Sequence, residues 1–162
     1  MNRDVPGVPR ITDLASTIEL AAESLTAVLD PSRCEQLTPV SPAQLRVLLL
    51  LRAHPHLNIN GLAEALQVVP SSASRLCDRL EALGLVSRVP DPRDRREMQL
   101  PLTQAAVAML DDLSDYRRRA LAEVMAAMPQ VARQELARSL AAFSAAAASL
   151  SDQEPDVVRR TA

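Results

Sequence analysis

The hydrophobic period of this chain switches within a few residues of Gly84, and that switch restricts its fold sharply. Ahead of Gly84, Ala73, Leu76, Leu80 and Leu83 stand three, four and three apart, which lines them along one buried face of an α-helix. Ser71, Ser74, Arg75 and Asp78 point away from that face, with Ser72 and Arg79 at its flank. Pro70 suits the first position of such a helix, and Gly84 suits the left-handed residue that ends one. Beyond Gly84, residues 85–89 and 98–102 read as short strands. Between them lies Pro90-Asp91-Pro92-Arg93-Asp94-Arg95-Arg96, a charged hairpin loop. Pro101 has no N–H to donate, so the second strand is expected to place it where the ladder needs none, on an edge ribbon.

The remaining pattern is helical. There are 26 Ala and 25 Leu against 17 Val plus Ile and 3 Gly, a balance that favours helices and argues against a β-sandwich. From Thr12 or Asp13, Leu14, Ile18, Ala22, Leu25 and Leu29 form a helical stripe that Pro31 ends. Residues 34–40 read as a loop. Ser41-Pro42 opens a second helix, with Ser41 as cap, which runs through Leu45 and Leu48 to Leu51 and stops before Pro55. A short helix over 60–66 and a tight Val68-Val69-Pro70 turn lead into the helix before Gly84. From Thr103 a long helix carries Leu110, Leu113, Leu121, Val124 and Met128, interrupted by the exposed run Arg117-Arg118-Arg119. After Pro129, Ala132, Leu136, Leu140, Phe143, Ala147 and Leu150 alternate in spacings of four and three, the seam of helices packed along their length.

Composition removes several function classes. A hydrophobic fraction of 48% is enough for a core, so the chain is not disordered throughout. Tyr116 and Phe143 are the only aromatics, too few for a platform that stacks single-stranded bases. No membrane partner is expected, because the uncharged run over 139–151 is too short to span a bilayer and the N-terminus lacks a signal-like apolar stretch. Two cysteines make no disulfide framework, and a cytoplasmic location is expected. No cofactor or metal is expected either, since Cys34, Cys77, His54 and His56 have no ligand spacing. Two His, no Lys and no glycine-rich phosphate loop argue against an enzyme. Asp78 and Glu81, three apart on a helix, are read as ion-pair partners of Arg75 and Arg79.

The net charge is −2, but residues 41–103 hold eight Arg against six acids. Arg75, Arg79, Arg88, Arg93, Arg95 and Arg96 crowd one short window there. Its bland reading is a solvated surface paired to Asp78, Glu81 and Asp91. The other reading is DNA binding. A helix fits the major groove and offers short polar side chains to base edges, while a narrow minor groove attracts arginine from a hairpin.

The element order is a winged helix-turn-helix, mainly α with a small two- to three-stranded β wing. In residues 37–105 it resembles the MarR family of transcription regulators. The stretches that carry the resemblance are Leu37-Thr38-Pro39, Ala43-Gln44-Leu45-Arg46-Val47-Leu48, Leu62-Ala63-Glu64-Ala65-Leu66 and Ser71-Ser72-Ala73-Ser74-Arg75-Leu76. They continue with Arg79-Leu80-Glu81-Ala82-Leu83-Gly84-Leu85-Val86, Asp91-Pro92-Arg93-Asp94-Arg95-Arg96 and Leu102-Thr103. The resemblance implies a homodimer whose first and last two helices interlock, and a repressor of double-stranded, pseudo-palindromic operators. It divides the chain into an arm (1–10), an N-terminal dimerisation helix (11–36), a winged DNA-binding domain (37–103), C-terminal dimerisation helices (104–150) and a tail (151–162). By the same resemblance Ser71, Ser72, Ser74 and Arg75 read the major groove. Arg96, oriented by Asp94, enters the minor groove, while Arg93 and Arg95 meet phosphates; Arg79 belongs to the same DNA-facing set. A small-molecule effector, classically aromatic, is also implied.

Three residues depart from the family's pattern. Gln67 stands where glycine is usual, so the turn is strained or reshaped; Val69 stands where a helix cap is expected; Ala106 replaces a common glycine. Two other functions stay open on this sequence. One is a winged-helix module for protein–protein contact, and the other a redox-sensing regulator that oxidises Cys34 beside Arg33, against an incidental thiol there. Cys77 reads as a small packing residue.

Overall fold

Six α-helices and one two-stranded antiparallel sheet make up the computed structural model, which describes residues 10–30, 39–90 and 98–152. In chain order these are α1 (Ile11–Leu29), α2 (Pro42–Ala53), α3 (Ile59–Leu66), α4 (Pro70–Ala82), β1 (Val89–Pro90), β2 (Met98–Gln99), α5 (Gln104–Ala126) and α6 (Gln130–Asp152). The mainly helical architecture with a small wing is the one the sequence pattern implies. The chain divides into two units, one up to Arg118 and one from Arg119 onward.

Local chemistry sets the element ends. At α2 the Gln44 backbone N–H donates to Ser41 Oγ (3.3 Å) and the Ser41 N–H donates to Gln44 Oε1 (2.8 Å), a reciprocal capping box. That bond also satisfies Gln44, a buried polar side chain. At α3, Asn58 Oδ1 accepts from the Gly61 N–H at 2.9 Å, so the helix starts one residue earlier than expected. Helices α3 and α4 end in one hydrogen-bond pattern. Val68 N–H donates to Ala63 O (3.0 Å) and Gln67 N–H to Glu64 O (3.0 Å); correspondingly Leu85 N–H donates to Leu80 O (2.9 Å) and Gly84 N–H to Glu81 O (2.8 Å). This is the Schellman closure, which needs a left-handed residue. Gly84 supplies it at φ 69°, and Gln67 supplies it at φ 56° with a Cβ in the way. The turn keeps its shape and carries the strain.

The core of the first unit joins Val47, Leu48 and Leu51 of α2, Leu62 of α3, Cys77 and Leu80 of α4, Leu85, Val86 and Leu100 at the base of the wing, and Ala106, Leu110 and Leu113 of α5. One expected core residue is corrected. Leu83 is 49% exposed, and the buried positions of α4 are Ala73, Cys77 and Leu80, with Leu76 half-buried. The Schellman turn turns Leu85 back beneath the end of α4, so Leu85 occupies the interior that helical spacing assigns to Leu83.

The wing is corrected too. Val89 pairs with Gln99 and Pro90 with Met98, and an isolated bridge joins Val86 to Leu102 in the same register. Pro101 therefore lies opposite Ser87, whose N–H donates to Pro101 O at 3.0 Å. The reciprocal bond from residue 101 cannot form, because proline has no N–H. Pro101 thus occupies a position where the ladder would use a donor, and the expected five-residue strands shorten accordingly. Thr103 joins the wing to α5: its hydroxyl donates to Gly84 O (2.7 Å) and accepts from the Ala106 N–H (3.2 Å).

The outer helices are different. No residue of α1 is buried, and Leu14 and Ile18 are exposed. In the second unit Leu136, Leu140, Phe143 and Leu150 of α6 are all exposed in the single chain. The seam read from their spacing thus lies on exposed residues of α6.

Candidate nucleic-acid interface

Helix α4 presents two chemically distinct sides. Its inward side is Ala73, Cys77 and Leu80. On the outward side Ser71, Arg75 and Arg79 are exposed, and Ser72 and Ser74 are half-buried. All four predicted reading residues on α4, and Arg79 with them, are therefore reachable from solvent. None lies in the interior.

The ion pairs are not those expected. Asp78 and Glu81 both face Arg88, whose guanidinium contacts Asp78 Oδ1 and lies 3.5 Å from Glu81 Oε2. Arg75 and Arg79 have no ion-pair partner among the described residues. Among the described arginines of the window, Arg88 is thus the one whose charge is paired within the protein. Its partners lie across a chain reversal at Gly84, where helical spacing carries no information.

Cys77 lies beneath this ion cluster, fully buried. Burial pushes its thiol up to about 11; Arg88 pulls it down, and Asp78 and Glu81 push it up. A thiol in that state is a packing residue rather than a nucleophile. Cys34 falls outside the described residues, as do Arg93, Asp94, Arg95 and Arg96. The pairing of β1 with β2 sets Pro90 opposite Met98, the described residues on either side of 91–97.

At its start α4 lacks a side-chain cap. Val69 precedes Pro70 at φ −71° and ψ 148°, and it accepts no side-chain bond from the first turn. Val69 is also 62% exposed, a feature the sequence pattern gave no reason to expect.

Helices α2, α3 and α4 followed by a two-stranded wing define a winged helix-turn-helix protein, a class in which the last helix of the trio and the hairpin face the ligand. Comparison with known proteins narrows the class. Residues 38–97 match the model of the MarR family. The HTH-type transcriptional repressor MdtR of Bacillus subtilis (strain 168) is 32% identical over 114 residues, which are 69% of this chain and 74% of that one. The HTH-type transcriptional repressor NicR of Pseudomonas putida is 34% identical over 95 residues, 58% of each chain. Among solved structures, RV1404 from Mycobacterium tuberculosis aligns with a TM-score of 0.78 at 29% identity, covering 88% of this chain and 97% of that one. The chain belongs to the MarR family and is a DNA-binding transcription regulator.

Proposed function

We propose that this protein is a homodimeric repressor that binds pseudo-palindromic double-stranded DNA and leaves it when a small-molecule effector binds. The observation that carries the reading is the outward side of α4, where Ser71, Ser72 and Ser74 are accessible and Arg75 and Arg79 are unpaired among the described residues. Short hydroxyl side chains suit base edges, and free guanidinium groups suit guanine or phosphate. The wing segment adds Arg96 in the minor groove with Asp94 orienting it, and Arg93 and Arg95 on phosphates.

In this reading residues 37–103 bind DNA, while residues 11–36 and 104–150 form the dimer. The uncovered apolar faces of α1 and α6 favour a second copy as their cover. Two-fold symmetry then places the two α4 helices about one turn of the duplex apart. The names of MdtR and NicR, both repressors, support repression as the sign of regulation. The effector acts by binding the DNA-competent and incompetent arrangements unequally. The role places the protein in the cytoplasm with the DNA.

The test is a titration of the full chain against duplexes selected from a random pool, at two salt concentrations. Affinity is expected to fall steeply with salt, because several phosphates are neutralised. Arg75→Ala and Arg96→Ala are each expected to weaken the selected duplex while sedimentation still gives a dimer. Binding unaffected by either change would refute the assignment of the reading helix and the wing.

A further inference from the structure

We propose that Val69 reads a thymine methyl group in each operator half-site, an inference that rests on the assignment of α4 to the major groove. Serine, threonine, aspartate or asparagine at this position would accept a first-turn N–H and stabilise α4. Valine forgoes that bond and leaves a branched apolar side chain 62% exposed to water. It is no part of the interior beneath α4, which Ala73, Cys77 and Leu80 supply. Pro70 and Ser71 are exposed beside it, so the leading edge of α4 runs from apolar to polar within three residues. Arg75 and Arg79, exposed further along the same helix, supply the charge that holds a duplex against that edge.

The occupant follows from groove chemistry. Among the base edges of the major groove, the C5-methyl of thymine is the one apolar group that projects from an otherwise hydrogen-bonding surface. An exposed valine beside reading serines matches that methyl. Cytosine at the same place carries a hydrogen in place of that methyl, so the apolar contact is lost.

The experiment uses the full chain and duplexes selected from a random pool, with each thymine replaced in turn by uracil, which removes only the methyl group. Fluorescence anisotropy at fixed salt is expected to show one thymine per half-site where uracil weakens binding about fourfold, the worth of one buried methyl. In Val69→Ser that discrimination is expected to vanish while the melting temperature rises, because the serine caps α4. The opposed directions separate lost reading from lost folding. A uracil scan that is flat, identical in the parent and Val69→Ser, or impossible because the half-site has no thymine overturns the inference and leaves α4 as the reading helix. Failure to enrich any duplex overturns the DNA reading and this inference with it.

Discussion

Two residues do the same backbone work at unequal cost. Gln67 and Gly84 both occupy the left-handed position that closes a helix, at φ 56° and φ 69°. Gln67→Gly is expected to stabilise the protein by about 0.5–1 kcal/mol, since relief of left-handed strain exceeds the added freedom of the unfolded chain. Gly84→Ala runs the other way. An added Cβ there meets nothing within 4 Å, so the expected net loss of about 1 kcal/mol comes from backbone strain and not from a clash, less the small gain from a stiffer unfolded chain. Urea denaturation at one protein concentration checks both. Cys77 gives a pH signature. Its thiol, raised by burial to about 11 from an ordinary value of 9.0, stays protonated in the folded chain over a range where the unfolded chain ionises. Stability is therefore complete below about pH 9 and falls as pH rises toward 11. The chain has no Lys and a single Tyr, so few other groups titrate there. Cys77→Ala is expected to flatten the decline.

At the scale of elements, Arg88 ties the start of the wing to the outer side of α4 through Asp78 and Glu81. These side chains are partly exposed, so the cluster contributes below about 1 kcal/mol to stability. Its larger effect is electrostatic. Without Arg88, two carboxylates stand unneutralised near Arg75 and Arg79 on the helix proposed to face DNA. Arg88→Ala is expected to leave the urea midpoint nearly unchanged and to lower duplex affinity several-fold at low salt, less at high salt. Equal affinity at both salts would show that the cluster does not shape the interface. The wing has its own weak point opposite Ser87. There Pro101→Thr restores the missing donor, and slower amide exchange at residue 101 than at exposed loop amides is the expected sign that the ladder has closed.

At the scale of the whole molecule, the exposed apolar residues of the outer helices set how copies assemble. Leu14 and Ile18 on α1 and Leu136, Leu140 and Phe143 on α6 are exposed, and water penalises such faces at about 25 cal/mol per Å². A second copy is the proposed cover. Phe143→Glu is expected to give a monomer by sedimentation and to abolish tight operator binding, because each half-site is then bound alone. A Phe143→Glu protein that still sediments as a dimer would move the interface away from α6. The parent's melting temperature is expected to rise with protein concentration, as mass action requires of a coupled dimer.

The amino-acid order by itself determined the helices, the Ser41 cap and the switch to a wing, because periodicity, Ser41, Pro42, Pro70 and Gly84 act over one or two turns of backbone. That Ser71, Ser72, Ser74, Arg75 and Arg79 lie on the solvent-accessible side of α4 was legible for the same reason, since a helix fixes which residues share a side. Tertiary structure alone decided the partners of Asp78 and Glu81, the burial of Leu85 in place of Leu83, and the ladder position of Pro101. Each depends on how the chain meets itself after the reversal at Gly84, and neither spacing nor propensity carries that registration across a turn.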